Sequence, residues 1–335
     1  MITVLKPGML TTIQDSGRHG FQKFGVVESG PMDPFAHRIA NLLVGNEELE
    51  ATLEITLLGP SLQFDTDLMI ALCGGNLSPS IDGSPIRMWR PIFVKRGSQL
   101  TFGRCIDGCR SYLAISGGFD VPIVMKSKST YLRAEIGGYK GRALQKGDHL
   151  VVGTPNPFVK AGLKTFAEHS SFKEMGWSVA SSLLSLYTNS FPIRIMTGPE
   201  FQYFTRESQQ QLYNCPFEVS TQSDRMGFRL KGPHLILKNE NQMISEAVSF
   251  GTIQVPPDGN PIILLADRQT TGGYSRIGQV ATVDLPLIAQ TKSGERIHFT
   301  EVSLDEAQRL YIQREQQIKQ LKNGIALLLN KGDIL

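Results

Sequence analysis

Asp258-Gly259-Asn260-Pro261-Ile262-Ile263-Leu264-Leu265-Ala266 runs directly into Asp267-Arg268-Gln269-Thr270-Thr271-Gly272-Gly273-Tyr274-Ser275-Arg276-Ile277-Gly278. The Asp-Gly pair is a turn signal, and the short apolar run behind it reads as a buried strand. The chain then leaves that strand through two arginines, an aspartate, a glutamine, two threonines and adjacent glycines. A turn needs one or two Gly or Asn residues and none of the rest. Two readings fit: a solvated hairpin, or a polar loop that meets a ligand from the rim of a rigid scaffold.

The same turn and strand opening occurs earlier, as Asp82-Gly83-Ser84-Pro85-Ile86. Around it lies a longer correspondence. Asp33 precedes Arg38 by the same step as Asp224 precedes Arg229, and Glu54 precedes Gly59 as Glu246 precedes Gly251. Shared order and spacing point to tandem copies of one fold. Lys146-Gly147-Asp148-His149-Leu150 and Lys331-Gly332-Asp333-Ile334-Leu335 are a weaker third echo. Apolar segments at 53–58, 68–73, 92–95, 111–116, 193–196, 234–237 and 262–266 read as strands. Between them stand turn signals at Gly74-Gly75-Asn76, Asp82-Gly83, Arg96-Gly97, Gly117-Gly118, Lys146-Gly147-Asp148 and Asp258-Gly259. Many short strands with frequent turns predict a mainly β chain of barrels or sandwiches. Helices are few. One is expected over 33–43, capped by Asp33 with Pro34 in the first turn. Another is expected over 304–323, with a Ser303/Glu306 capping box and Gly324 as the left-handed stop. The domain boundaries read as 1–153, a connector at 154–192, and 193–335.

Composition narrows the function. Hydrophobic residues make up 41% of the 335 and charged residues 19%, enough for a packed core. A net charge of +3 gives no electrostatic case for nucleic acid or an anionic membrane surface. No apolar run approaches a membrane span, and the first residues lack the pattern of a secretory leader, so a cytoplasmic protein is expected. Cys73, Cys105, Cys109 and Cys215 are too few and too isolated for structural zinc; no metal site is expected.

The Asp, Arg and Glu of the repeat also carry two readings. In one, each Asp caps a helix and each Arg–Glu pair ties that helix to the barrel. In the other, Asp33, Arg38 and Glu54, together with Asp224, Arg225, Arg229 and Glu246, hold a polar substrate. Gln222 and Ser223 precede the extra arginine of the second copy. Phosphate-loop, nucleophile-elbow and His-Glu-x-x-His patterns are absent. The histidines are scattered: His19 and His37 lie near polar or Gly-rich motifs, and His149, His169, His234 and His298 read as surface or satisfied core positions. Any chemistry of this chain therefore falls to arginines and carboxylates, or is completed by a partner protein.

The motifs Thr12-Ile-Gln-Asp-Ser-Gly-Arg-His-Gly-Phe21, Ser29-Gly-Pro-Met-Asp33, Ala40-Asn-Leu-Leu-Val-Gly-Asn46 and Leu53-Glu-Ile-Thr56 resemble the carboxyltransferase/allophanate hydrolase subunit 2 family. So do Ser223-Asp-Arg-Met-Gly-Phe-Arg229 and Asp267-Arg-Gln-Thr-Thr-Gly-Gly-Tyr274. The resemblance implies two tandem cyclophilin-like β-barrel domains with a few helices. It implies work inside an ATP-dependent 5-oxoprolinase complex, with 5-oxoproline as substrate and ATP with magnesium as the phosphoryl source. The partners it implies there are a KipI-like protein and a LamB/YcsF-type protein, the B and A subunits of such a complex. The alternative it leaves open is a regulator that binds and counteracts the kinase inhibitor KipI. Relatives fused to a biotin carboxylase act on urea; Val124-Met125-Lys126-Ser127 lacks the flanks of a biotin carrier, so that activity is not expected. On this resemblance the catalytic candidates are Arg225, Arg268, Glu246 and Asp267. The substrate-binding candidates are Gln222, Gln269, Thr270, Thr271, Gly272, Gly273, Tyr274, Asp33, Arg38 and Glu54.

Overall fold

The computed structural model describes residues 1–165, 171–188, 192–239 and 243–330. They form two compact units. The first comprises Met1–Gly17, Asp33–Thr188 and Gln316–Leu335, and the second Arg18–Met32 and Asn189–Glu315. This division differs from the expected boundaries at three places: the loop Arg18–Met32 belongs to the second unit, the expected connector up to Thr188 to the first, and the end of the C-terminal helix also to the first.

The first unit holds two six-stranded sheets. One runs in the order His149–Leu150, Ile2–Lys6, Ser61–Phe64, Gln99–Phe102, Pro79–Ile81, Ser84–Pro85. The other runs Phe172–Glu174, Pro91–Val94, Leu68–Asn76, Asp107–Ile115, Thr52–Thr56, Leu10–Gln14. Ile2, Val4, Leu62 and Phe64 of the first sheet and Ile13, Leu53, Ile70 and Leu113 of the second share one core. The helix Pro34–Leu43 packs on Leu68–Asn76 and Asp107–Ile115. Burial on both faces explains why Leu68–Cys73 is apolar without alternation. Gly74-Gly75-Asn76, expected as a turn, ends this strand instead. The partner register shifts between Asp107 and Ser111 and Gly74 takes φ 92°, so the glycines serve a bulge. The Asp82-Gly83 turn forms as expected, with φ of 48° and 79° joining two paired strands.

Residues 154–192 do more than connect. They supply the helix Pro157–Thr165 and the edge strand Phe172–Glu174, which pairs with Pro91–Val94. Parts of this stretch, His169 and the 331–335 echo lie outside the described residues.

The second unit is built on one eight-stranded sheet. Its order is Arg296–Ile297, Phe217–Val219, Gly227–Lys231, Ile262–Leu264, Thr252–Val255, Ser275–Val280, Ile193–Thr197, Phe299–Glu301. The two edge strands are separated only by His298 in the chain. One short stretch therefore pairs at both ends of the sheet and draws it into a nearly closed barrel. Ile195, Phe217, Phe228, Ile253, Ile263, Ile277 and Phe299 are among the residues of its core. The expected strand at 234–237 does not form. Leu235 is buried, Ile236 is exposed, and Leu237 makes an isolated bridge to Phe204; Pro233, with no N–H to donate, stands just before them. A two-stranded flap, Glu246–Ala247 against Thr271–Gly272, stands beside the main sheet.

The last helix begins where Ser303 Oγ accepts from Glu306 N at 3.2 Å. It does not stop at Gly324 but runs from Leu304 to Asn330. A glycine inside a helix costs about 1 kcal/mol relative to alanine and does not by itself end it.

Candidate functional site

Beyond Ile262–Leu264 the chain stays bound to the segment that precedes its neighbouring strand. Leu265 N donates to Met226 O at 3.0 Å and Asp267 N to Arg225 O at 2.8 Å. This backbone pairing sets Asp267 beside Arg225. Arg225 Nε donates to Asp267 Oδ2 at 2.9 Å and Nη2 to Oδ1 at 3.2 Å, while Nη2 also reaches the Gly30 carbonyl at 2.6 Å. Both side chains are buried. Arg268 is buried too. Its Nη2 donates to Glu28 Oε2 at 2.7 Å, its other nitrogens point at the Val248 and Leu265 carbonyls, and its guanidinium lies 6.0 Å from the Phe250 ring centre. Forked guanidinium bonds of this kind fix geometry as well as charge.

The polar residues that follow face outward. Gln269, Thr271, Gly273 and Tyr274 are exposed, and Thr270 and Gly272 half-buried. Gln222 is exposed near Arg225 in sequence. The flap is seated by close contact. A Cβ added to Gly272 would lie 2.4 Å from Gln254 Nε2, and that buried amide donates to Tyr274 O at 3.3 Å. Arg276 clamps the flap: Nη2 reaches Glu200 Oε1 at 2.7 Å and Glu246 Oε2 at 2.6 Å, and Nε reaches Glu200 Oε2 at 2.9 Å. Burial pushes the Glu200 carboxyl up, but the hydrogen bonds from Arg276 outweigh it and hold the group below the usual carboxylate range. Those bonds likewise raise the Arg276 guanidinium above its ordinary value.

Asp33, Arg38 and Glu54 lie in the first unit. Asp33 caps its helix as expected, with Oδ1 accepting from Ala36 N at 2.9 Å, and Oδ2 accepts from the Tyr187 hydroxyl at 2.7 Å. The expected tie between helix arginine and strand glutamate has other partners. Arg38 pairs with Glu48 at 2.8 Å, just past its helix, and Glu54 accepts from Tyr112 Oη at 2.7 Å. In the second unit the parallel expectation also changes. Asp224 caps no helix; its Oδ1 accepts from Met226 N at 2.8 Å in a turn that opens the strand Gly227–Lys231. Arg229 is exposed on that strand, and Glu246 pairs with Arg276. Asp33 is followed by Pro34, which starts a helix, whereas Asp224 is followed by Arg225-Met226-Gly227.

Glu28, Gly30, Glu200 and Gln254 were not singled out from the sequence as site residues. Glu28 and Gly30 flank Ser29, whose φ is 58° and whose buried Oγ has no hydrogen-bond partner among the described residues. The motifs Thr12–Phe21 and Ser29–Asp33 bracketed this loop without marking Glu28. Among the described residues no group of three or more His, Cys, Asp or Glu is placed to hold a metal. The site carboxylates Glu28, Glu200, Glu246 and Asp267 are each engaged by an arginine. These residues do not suit magnesium as a ligand set. No helix among the described residues is long and apolar enough to cross a membrane.

Residues 24–301 match the family described as carboxyltransferase domain, subdomain A and B. The chain is 38% identical to the C subunit of 5-oxoprolinase from Escherichia coli K12, over 96% of this chain and 97% of that relative. It is 37% identical to the C subunit of the Haemophilus influenzae 5-oxoprolinase, over 96% and 98%. The crystal structure of the K. lactis urea amidolyase superimposes with TM-score 0.84 at 33% identity, covering 96% of this chain and 20% of that one. The chain thus spans about a fifth of the urea amidolyase.

Proposed function

The chain belongs to the carboxyltransferase domain family, subdomain A and B, and from that we propose that it is the C subunit of an ATP-dependent 5-oxoprolinase. The observation that carries this reading is the match to the 5-oxoprolinase C subunit, which spans 97% of that relative against 20% of the urea amidolyase chain. In the proposed complex a KipI-like B subunit and a LamB/YcsF-type A subunit complete the site.

The residues support a division of roles. A lactam carbonyl is a poor electrophile, and transfer of the ATP γ-phosphoryl group to its oxygen makes attack by water feasible. Such transfer depends on positioning and positive charge. Arg225 and Arg268 are held by Asp267 and Glu28, so they act as positioning residues that shape the strand exit. The exposed side chains of Gln222, Gln269, Thr271 and Tyr274, with Thr270 and the Gly272-Gly273 backbone, are the donors and acceptors that meet 5-oxoproline. Glu246 keeps the flap clamped through Arg276.

The test is reconstitution. Glutamate formation and ATP hydrolysis are measured for this chain and the two partner proteins, alone and mixed. Turnover that needs all three is expected, and it is expected to fall in Arg268→Ala with assembly intact, because the strand exit loses the residue that holds its shape. Tight binding to the KipI-like protein with no turnover in any mixture overturns the enzyme reading and leaves the regulatory one. Unchanged turnover in assembled Arg268→Ala removes Arg268 from the site.

A further inference from the structure

The loop Arg18–Met32 carries a group that the strand exit and the flap leave unused. His19 Nδ1 bonds Glu28 Oε1, and the other oxygen of that carboxylate, Oε2, accepts from Arg268 Nη2 at 2.7 Å. Imidazole, carboxylate and guanidinium therefore stand in series. Burial is graded along it: the Arg268 side chain is 9% exposed, Glu28 17% and His19 62%. The anchor is buried and the ring is presented to the surface.

The loop is built to keep this arrangement. Arg18 N donates to Glu28 O at 2.7 Å, which draws the two ends of the 18–28 segment together. A 3₁₀ turn at Gln22–Phe24 ends on left-handed Gly25. Ser29 is held at φ 58°, its buried Oγ without a partner among the described residues, and the next carbonyl, Gly30 O, is gripped by Arg225. Backbone strain of about 1–3 kcal/mol persists only where its surroundings over-determine it, and it clusters at functional positions.

We propose that His19 is the acid–base catalytic residue of this site, with Glu28 as its positioning residue; this rests on reading the surface as the 5-oxoproline site. The tautomer follows from the geometry. A carboxylate facing Nδ1 accepts a hydrogen bond from Nδ1–H, so the lone pair of the neutral ring is on Nε2. Neutral His19 takes one proton from water through Nε2 as the water oxygen bonds to the carbon of the phosphate-activated lactam. The lactam N–H proton leaves to solvent when the oxygen is phosphorylated, which gives the carbon–nitrogen double bond; on attack its electron pair passes to the lactam nitrogen, and the imidazolium returns its proton there. The hydroxyl proton follows to nitrogen as the carbon–nitrogen bond breaks. The products are an amine and an acyl phosphate, which a second water hydrolyses to carboxylate and phosphate.

The experiment uses the assembled three-protein complex. In His19→Ala, turnover is expected to fall about 10²- to 10⁴-fold, with KM for 5-oxoproline and ATP little changed and assembly retained. Added imidazole is expected to restore part of the rate in that variant and none in Glu28→Gln, whose ring is still present. Wild-type turnover in His19→Ala, or a loss carried by KM alone, overturns the proposal. A wild-type mixture that makes no glutamate fails the functional reading first, whereas an active wild type beside an equally active His19→Ala fails this inference only.

Discussion

Arg225 and Asp267 form a buried pair that hydrogen-bonds through two guanidinium nitrogens, Nε and Nη2, and both carboxylate oxygens. Removing one partner of such a pair leaves the other charge buried without compensation. Asp267→Ala is therefore expected to destabilise the protein by about 3–5 kcal/mol, seen as a drop in the urea midpoint; a midpoint within error of wild type contradicts the burial argument. His37 makes a second residue-scale case. Its Nδ1 lies 2.9 Å from Thr52 Oγ1, and its Nε2 is buried with no hydrogen-bond partner among the described residues. Burial lowers its pKa from 6.5 to about 4, against the upward pull of Asp15 and Glu54 and with a small downward push from Arg38. The unfolded chain thus takes up a proton, between those two values, that the folded chain refuses. The neutral ring's contribution is complete above pH 6.5 and is lost as pH falls toward 4, a change of about 3 kcal/mol. Urea midpoints at pH 7 and pH 4.5 are expected to differ less in His37→Gln than in wild type; equal differences contradict this.

At the scale of elements, legibility followed how local the cause was. The helix Pro34–Leu43 was readable because its cap, its proline and its apolar spacing lie within a few residues of one another. The strands Ile2–Lys6 and Leu10–Gln14 went unread, since Thr3 interrupts the first short apolar run and Thr11 and Thr12 the second. Gly74-Gly75-Asn76 carries turn chemistry, yet its partner strand makes it a bulge. The flap shows the same dependence on distant atoms. Nothing around Gly272 in sequence reveals that Gln254 lies beneath it. Gly272→Ala is expected to displace the flap and lower turnover of the complex while moving the thermal midpoint by only a few degrees, the scale of about 1 kcal/mol in a chain of this size. Full turnover in that variant denies the flap a part in the site.

Across the whole molecule, the candidate site was legible as residue types and illegible as partnerships. Asp267 and Arg268 were picked out by their polar surroundings. Their partners were not, because Arg225 is 42 positions from Asp267 and Glu28 is 240 from Arg268. No spacing rule reaches that far, and the tandem pattern misled where Asp224 was matched to Asp33. The eight-stranded sheet, whose edge strands share the stretch from Arg296 to Glu301, carries a consequence in time. Synthesis proceeds from the N-terminus at about 5–20 residues per second. The loop bearing His19 is thus made on the order of ten seconds before the first strand of its own unit, Ile193–Thr197, begins to emerge. That strand then waits further for Phe299–Glu301, its parallel partner. A nascent or prematurely ended chain shorter than this carries His19 and Glu28 with no barrel to receive them. Completion of the chain thus acts as the checkpoint for assembling the His19–Glu28–Arg268 series.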